Sequence, residues 1–594
     1  MDQNVIDHGA AGDGATDCTE AFRSAVVSCM ESGGGYVRVP AGDYVTGTVS
    51  LLSKVFLWLG PGSRLLASRD DSRFSPMGRR GYRALIYADG TEDSGIVGEG
   101  TIDIRRNDDW RRENPGHDRL YGVITDRARR FTMRGVTLRD PGYFTIYNLG
   151  SEDLLFTGLR IYTRSCDNGD GIDFSGSRNV VISDCVIDAG DDAIGLKTHH
   201  PEEPCENFVI TNCILSSRWA GIRLGPETCG DIRNVTVSNC VFRDCSDGLK
   251  LQLCDTYTLE DVSASNLVMK NAERPLFFTS SSCPMSRFSK KCRPDPGVFR
   301  RITVENVTAV VDGDRRGWFD PGCCIQGVPG GRIEDVTIRG LRLMLPGGGG
   351  QCLDEIADRE EFVLRNEYPD VPRSPRFPSC GLFLRHVRGM RLEDCTLSCQ
   401  APDGRCAVRA EDAEDLRLIR TDTRNTAGLL RYHKAPGLTL DGCTGAKPFS
   451  PEMADRWKAH SALAAEQEAA VIASCACSDE IAALPVIREL VSVSVSGEAD
   501  ESVPRVCVLP FSVSGGDVDT TRYLETDAEG PILAELDGRT VFRWDRSAPY
   551  DGMALTAFPL PGLSSGSHVL RIRAERFGSP VRLLEASGRP QDLS

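Results

Sequence analysis

A chain of 594 residues exceeds what one compact domain holds and fits about two or three. Its 85 acidic and 69 basic residues leave a formal net charge of -16. That balance repels a phosphate backbone, and no basic stripe overrides it, so nucleic acid is not expected as a partner. No apolar run approaches the roughly 20 residues of a membrane-spanning helix, so no membrane partner is expected either.

Taken in chain order, Met1-Asp2-Gln3-Asn4 leads straight into folded-looking sequence without the basic and apolar regions of a secretory signal. A cytoplasmic location is the expectation, with a secreted chain whose signal has been removed as the alternative. Thr19 to Met30 reads as an amphipathic helix ended by Gly33-Gly34-Gly35, and the strand "YVRVPAG" then opens the first coil. Such a helix is the expected cap over the open end of a stacked repeat.

From about residue 90 to 445 one theme recurs, as in "SRNVVISDCVIDAG", "CENFVITNCILSS", "IRNVTVSNCVFRDC" and "FRRITVENVTAV". Each unit is a short alternating apolar and polar run, usually closed by Asn or Asp, with a period of roughly 20 to 30 residues. Strand units of that length cannot bury their apolar faces alone and must stack, which predicts an all-β right-handed parallel β-helix. Asn and Asp suit its corners because they tolerate left-handed backbone. The 23 cysteines fit the same scheme. Cys185, Cys213, Cys240, Cys395 and Cys443 recur at one place in the repeat, as small buried reduced side chains would. No paired C-x-x-C motif calls for structural zinc, while Cys283 and Cys292 flank a basic loop and form a disulfide only if oxidised.

Beyond residue 450 the pattern changes. Residues 450–485 are rich in Ala and Glu at helical spacing and read as a helical linker. Residues 486–594 hold short alternating strands that predict a small antiparallel β-sandwich, an accessory domain for packing, dimerisation or carbohydrate binding. Residues 1–449 are then the β-helix domain, which also holds the chemistry-bearing motif that follows. Oligomeric state is not legible.

Chemistry concentrates in "RSCDNGDGIDFSGSRNVVISDCVIDAGDDAIGLKTHH". Asp170 and the pair Asp191-Asp192 stand one coil apart, so a parallel stack brings three carboxylates together on adjacent strands. Crowded like charges raise at least one pKa, giving a protonated acid beside ionised carboxylates. Glycoside hydrolysis needs that combination, and no cofactor or metal. A calcium site, or ordinary corner aspartates, is the competing reading. His199-His200, adjacent on a strand, point to opposite faces and read as a solvated loop rather than a metal pair.

At these motifs residues 1 to about 445 resemble the polygalacturonase family of glycoside hydrolases (family 28), within the pectin-lyase-like β-helix superfamily. "NGDGIDF" and "GDDAIGLK" resemble the family's N-x-D and D-D motifs. The resemblance implies Asp191 as general acid, Asp170 and Asp192 as the carboxylates that hold and deprotonate water, and Asn168 as an orienting residue. It also implies inversion at the anomeric carbon, with acid and base about 6.5–9.5 Å apart. Two motifs depart from the family. Ala220, followed by Gly221, replaces the His of G-H-G, and "DGLKLQ" stands at R-I-K with Lys250 for Arg and Gln252 for Lys. Arg223, Lys250 and Lys197 are candidate cations for a uronate carboxylate. Glu227 is a candidate for sugar hydroxyls, and Trp219, Tyr143 and Phe144 for stacking on sugar faces. Trp110, Trp318 and the basic segment 286–301 read as insertions walling one end of the cleft. The expected activity is hydrolysis of α-glycosidic bonds in acidic, galacturonate-containing oligosaccharides, exo-acting. The alternatives are a uronate lyase or epimerase on the same fold, and a non-catalytic carbohydrate-binding solenoid.

Overall fold

The computed structural model describes residues 1–113, 119–281, 297–312, 320–348 and 377–444 with their side chains, and the backbone of eight strands between 487 and 587. It forms two compact units, one ending at Phe449 and the next beginning at Ser450. Among the described residues no helix is long and apolar enough to cross a membrane. The predicted linker helix, Trp318, Cys283, Cys292 and most of segment 286–301 lie outside the described residues.

The first unit is a right-handed parallel β-helix whose strands join in one 39-stranded parallel ladder. A typical coil contributes Ile172–Ser175, Arg178–Ser183 and Val186–Ala189, each paired in parallel with its counterparts in the coils before and after. Alternation along each strand sends every second side chain inward, and identical register from coil to coil stacks like on like. On one face the strands are β1 (Ile146–Leu149), β2 (Ile172–Ser175), β3 (Ile194–Thr198), β4 (Ala220–Thr228), β5 (Asp247–Leu253) and β6 (Arg274–Ser280). Their inward ladder is Ile146, Ile172, Ile194, Ile222, Leu249 and Leu276, all in register and fully buried. The outward ladder on the same strands is Tyr147, Asp173, Gly195, Arg223, Lys250 and Phe277.

The predicted closing Asn and Asp residues take left-handed backbone, as at Asp184, Asn212 and Asn239 (φ 58°, 57° and 55°), and so does a second set at the start of each run, Asn179, Asn207 and Asn234 (φ 57°, 61° and 58°). Their amides form a ladder: Asn179 Nδ2 donates to Asp153 Oδ1 (3.0 Å), Asn207 to Asn179 (2.9 Å) and Asn234 to Asn207 (3.0 Å). Cys185, Cys213, Cys240 and Cys395 are free and buried, and Cys443, in the last described coil, is half-buried. The capping helix spans Thr19–Glu31 and buries Ala21, Phe22, Ala25, Val26 and Cys29. The solenoid starts earlier than predicted. Gln3–Asn4, ahead of the helix, already pairs in parallel with Val37 and Arg38, and a two-residue strand leaves no periodicity to read.

In the second unit the strands form two four-stranded antiparallel sheets. One runs Ile487–Val493, Val581–Ser587, Thr520–Glu525, Ala557–Pro559, and the other Arg505–Val513, Gly566–Ala574, Ile532–Leu536, Arg539–Trp544.

Candidate active site

Asp170 precedes β2, and Asp191 and Asp192 precede β3, so the coil spacing brings the two turns together. Gly171 N–H donates to the Asp192 carbonyl (2.9 Å), locking one turn on the other. Gly190 permits the approach, since a Cβ there would lie 1.7 Å from the Cys166 carbonyl oxygen. One oxygen of each carboxyl of Asp170, Asp191 and Asp192 lies within 4.8 Å of the others. These oxygens stand closer than the 6.5–9.5 Å expected between the acid and base carboxyls of an inverting enzyme. The register of adjacent coils, about 4.8 Å apart, sets the shorter distance.

Asp170 and Asp192 are buried, whereas Asp191 keeps an accessible edge. The buried Lys197 Nζ donates to Asp170 Oδ2 (3.0 Å) and Asp173 Oδ2 (2.8 Å), and lies 4.4 Å from the centroid of the Phe144 ring. Asp173 was not foreseen as part of the site. Gly195, its neighbour in the outward ladder, makes room for it: a Cβ there would stand 2.0 Å from Asp173 Oδ1. Arg223 Nη1 donates to Asp192 Oδ2 (3.2 Å), and the backbone N–H of Ala220 to Asp192 Oδ1 (3.2 Å). At the position of the absent histidine, the main chain thus holds the carboxylate. Arg223 Nη2 also donates to Gln252 Oε1 (2.9 Å). A lysine at 252 would set an ammonium against that guanidinium, whereas the glutamine carbonyl accepts from it.

Asp191 is held differently. Among the described residues its carboxyl accepts one hydrogen bond, from Asn168 Nδ2 at 3.2 Å, and Asn168 Oδ1 accepts from Arg119 Nη1 at 2.7 Å. Arg119 was also not foreseen. It is 49 residues from Asn168 and carries no repeat signature.

Burial first, then neighbouring carboxylates, sets the protonation. Burial, and then the Asp173 carboxylate, pushes Asp170 well above the usual carboxylate range. Burial, with Asp170 and Asp192, does the same to Asp191, and Lys197 and Arg223 only oppose it. Asp173 is raised by burial to about 6. Lys197 is held well above its ordinary value by Asp170 and Asp173, against the effect of burial. Four carboxyls around two cations leave excess negative charge that retained protons cancel. The same three oxygens are close enough to gather around a cation, but Lys197 and Arg223 already occupy two of the carboxylates and would repel one.

The remaining candidates are spread along the same face. Lys250 is fully buried, donates to Asp247 Oδ2 (3.0 Å) and lies 5.0 Å from the Trp219 ring centroid. Arg274 closes on both oxygens of the same Asp247 (2.5 and 2.7 Å). Glu227 is buried at 8% exposure, and among the described residues its Oε2 has no hydrogen-bond partner. Tyr143 and Phe144 stack on each other (centroids 4.4 Å, planes 8° apart) beside the buried Tyr121 and Tyr147. Trp110 sits in the short helix Asp108–Glu113, with Arg106 Cζ 4.2 Å from its ring centroid. The solvated-loop reading holds for exposed His200 but not for His199. His199 is half-buried, shares a hydrogen bond with Ser175 Oγ (2.7 Å), and is held neutral by burial, which lowers it to about 3.

The family model "Glycosyl hydrolases family 28" matches residues 38–343, more than half of the chain and all of this cluster. The chain belongs to family 28 of the glycosyl hydrolases. This family 28 enzyme, a glycosidase, is 28% identical over 339 residues to a probable polygalacturonase of Vitis vinifera, covering 51% of this chain and 69% of that protein. It is 25% identical over 375 residues to the exo-poly-alpha-D-galacturonosidase of Dickeya chrysanthemi, covering 51% and 61% respectively. Its fold matches the exopolygalacturonase of Thermotoga maritima, with a TM-score of 0.50 and 22% identity over 58% of this chain and 87% of that one. The Yersinia enterocolitica family 28 exopolygalacturonase matches with a TM-score of 0.50 and 18% identity, over 76% and 79%.

Proposed function

We propose that this glycosidase hydrolyses α-glycosidic bonds in galacturonate-containing oligosaccharides, working from a chain end, with Asp191 as the general acid. The observation that carries the role is the distribution of cations. Lys197 serves Asp170 and Asp173, Arg223 serves Asp192, and among the described residues the Asp191 carboxyl is left with a neutral amide. Asp170 is raised as well, but Lys197 supports its ionised form, whereas among the described residues no cation hydrogen-bonds the Asp191 carboxyl, which is thus the better placed to keep a proton. Asp191 is also only half-buried, as a group that must reach a leaving oxygen needs to be.

Asp170 and Asp192 hold the attacking water. Asp170 Oδ1 is buried and, among the described residues, without a hydrogen-bond partner, a place for a water proton to be accepted. The substrate class and the exo action follow the relatives, several of which are named exopolygalacturonases. Wild-type enzyme on oligogalacturonates should release reducing ends at one chain end, and proton NMR should find the first product with inverted anomeric configuration, an expectation that rests on the resemblance to the family and not on the close spacing of the carboxyl oxygens. A first product of retained configuration would instead make Asp170 or Asp192 a nucleophile. Absorbance rising near 235 nm, the signature of an unsaturated uronate (approximate, from β-elimination chemistry), would replace hydrolysis by a lyase reaction.

A further inference from the structure

Of the cations one or two hydrogen bonds from the three aspartates, Lys197 and Arg223 each bond a carboxylate of the protein, as does Lys250 one coil further on. Arg119 differs. Among the described residues no carboxylate pairs with it, and its one hydrogen bond runs from Nη1 to the Asn168 amide oxygen. It is half-buried, with Cζ 5.1 Å from the centroid of the Tyr143 ring. A guanidinium has five N–H donors and no acceptor. One is used, so a fork remains that can meet a planar carboxylate through two parallel bonds.

We propose that Arg119 reads the carboxylate of the uronate unit beside the scissile bond, and that Asn168 links this recognition to the acid. The proposal rests on the galacturonate reading above. Because arginine only donates, Asn168 must turn its oxygen to Arg119 and its Nδ2 to Asp191 Oδ2. A donor facing Oδ2 places the acid's proton on Oδ1. A substrate carboxylate seated on the Arg119 fork is therefore joined to the Asp191 carboxyl through three hydrogen bonds, the substrate's own to Arg119 and the two from Arg119 to Asn168 and from Asn168 to Asp191. The uronate charge is met from a loop outside the strand ladder, while Arg223 and Lys250, at the altered motifs, are spent on Asp192 and Asp247.

The test compares Arg119→Ala with wild type on oligogalacturonates and on the same oligomers methyl-esterified, which removes the charge and keeps the sugar. Loss of a charge-assisted pair should lower kcat/KM on the acid substrate about 10- to 100-fold. The ester, never held by that pair, should change by less than about 3-fold. Equal losses on acid and ester would reduce Arg119 to a support for Asn168 and overturn the proposal, as would no loss on either. Should Arg119→Ala lower the melting temperature, Arg119→Lys carries the test: charge without the fork, with an intermediate loss on the acid substrate alone. Wild-type enzyme that cleaves neither substrate would overturn the galacturonate reading itself, and this proposal with it.

Discussion

Two buried charge clusters stand on neighbouring coils of the same face. Around Lys197, carboxylates outnumber cations: Asp170, Asp173, Asp191 and Asp192 share Lys197 and Arg223. Around Asp247 the ratio is reversed, with Lys250 and Arg274 closing on one carboxylate. The backbone is the same parallel ladder in both places, so the difference lies in the side chains alone. Crowded carboxyls in low dielectric retain protons, and a retained proton is what an acid catalyst spends. A carboxylate clamped between two cations has nothing to give away, so the second cluster is built for position.

The comparison breaks most sharply at Asp191. Asp191→Asn keeps size and polarity but removes the proton, and kcat should fall about 10²- to 10⁴-fold with the thermal transition in place. Reducing-end assays check it, and an unimpaired variant would move the acid elsewhere. Next come the two lysines. Lys197→Met leaves buried Asp170 and Asp173 without the ammonium they share, which should cost about 3–5 kcal/mol in urea unfolding. Lys250→Met leaves Asp247 still bonded by Arg274 through both oxygens and should cost about 1–3 kcal/mol. Equal losses would mean that the clusters are not organised differently.

Away from both clusters, Asn207→Ala forces an ordinary residue into φ 61° and removes two ladder amide bonds, at about 1–2 kcal/mol. Asn207→Gly should recover the backbone part. The smallest effect is a slope. Asp108 is raised to about 6 by burial and by the Asp167 carboxylate, so it extends the carboxyl-crowding principle to the flank of the site. The folded chain then binds this proton more tightly than the unfolded one, whose carboxyl titrates near ~3.9. Stability from this group falls as pH rises from about 4 to 6. Asp108→Asn should flatten melting temperature against pH across that window, and an unchanged profile would remove Asp108 from the account.

The candidate site was legible where it obeyed the repeat. Asp170, Asp191 and Asp192 are spaced by one coil, and parallel register turns such spacing into contact. Asp184, Asn212 and Asn239 were legible as corners because few side chains tolerate left-handed backbone. Asp173 was overlooked although it lies inside the quoted motif. Its importance comes from facing Lys197, and Gly195, which makes room for it, reads in sequence as one more small residue. His199 was misread because alternation along a strand says which face a residue takes but not what covers that face.

The sequence by itself determined the stacked parallel coils, the apolar inward ladder and the meeting of three aspartates, because each follows from a period that repeats along the chain. Only the tertiary structure decided which aspartate lacks a cation among the described residues, that the Ala220 main chain holds Asp192 where the family has a histidine, and that Arg119 comes to Asn168. Those contacts join residues with no common period. Their partners are set by which loops the stack happens to bring together, and local sequence carries no record of that.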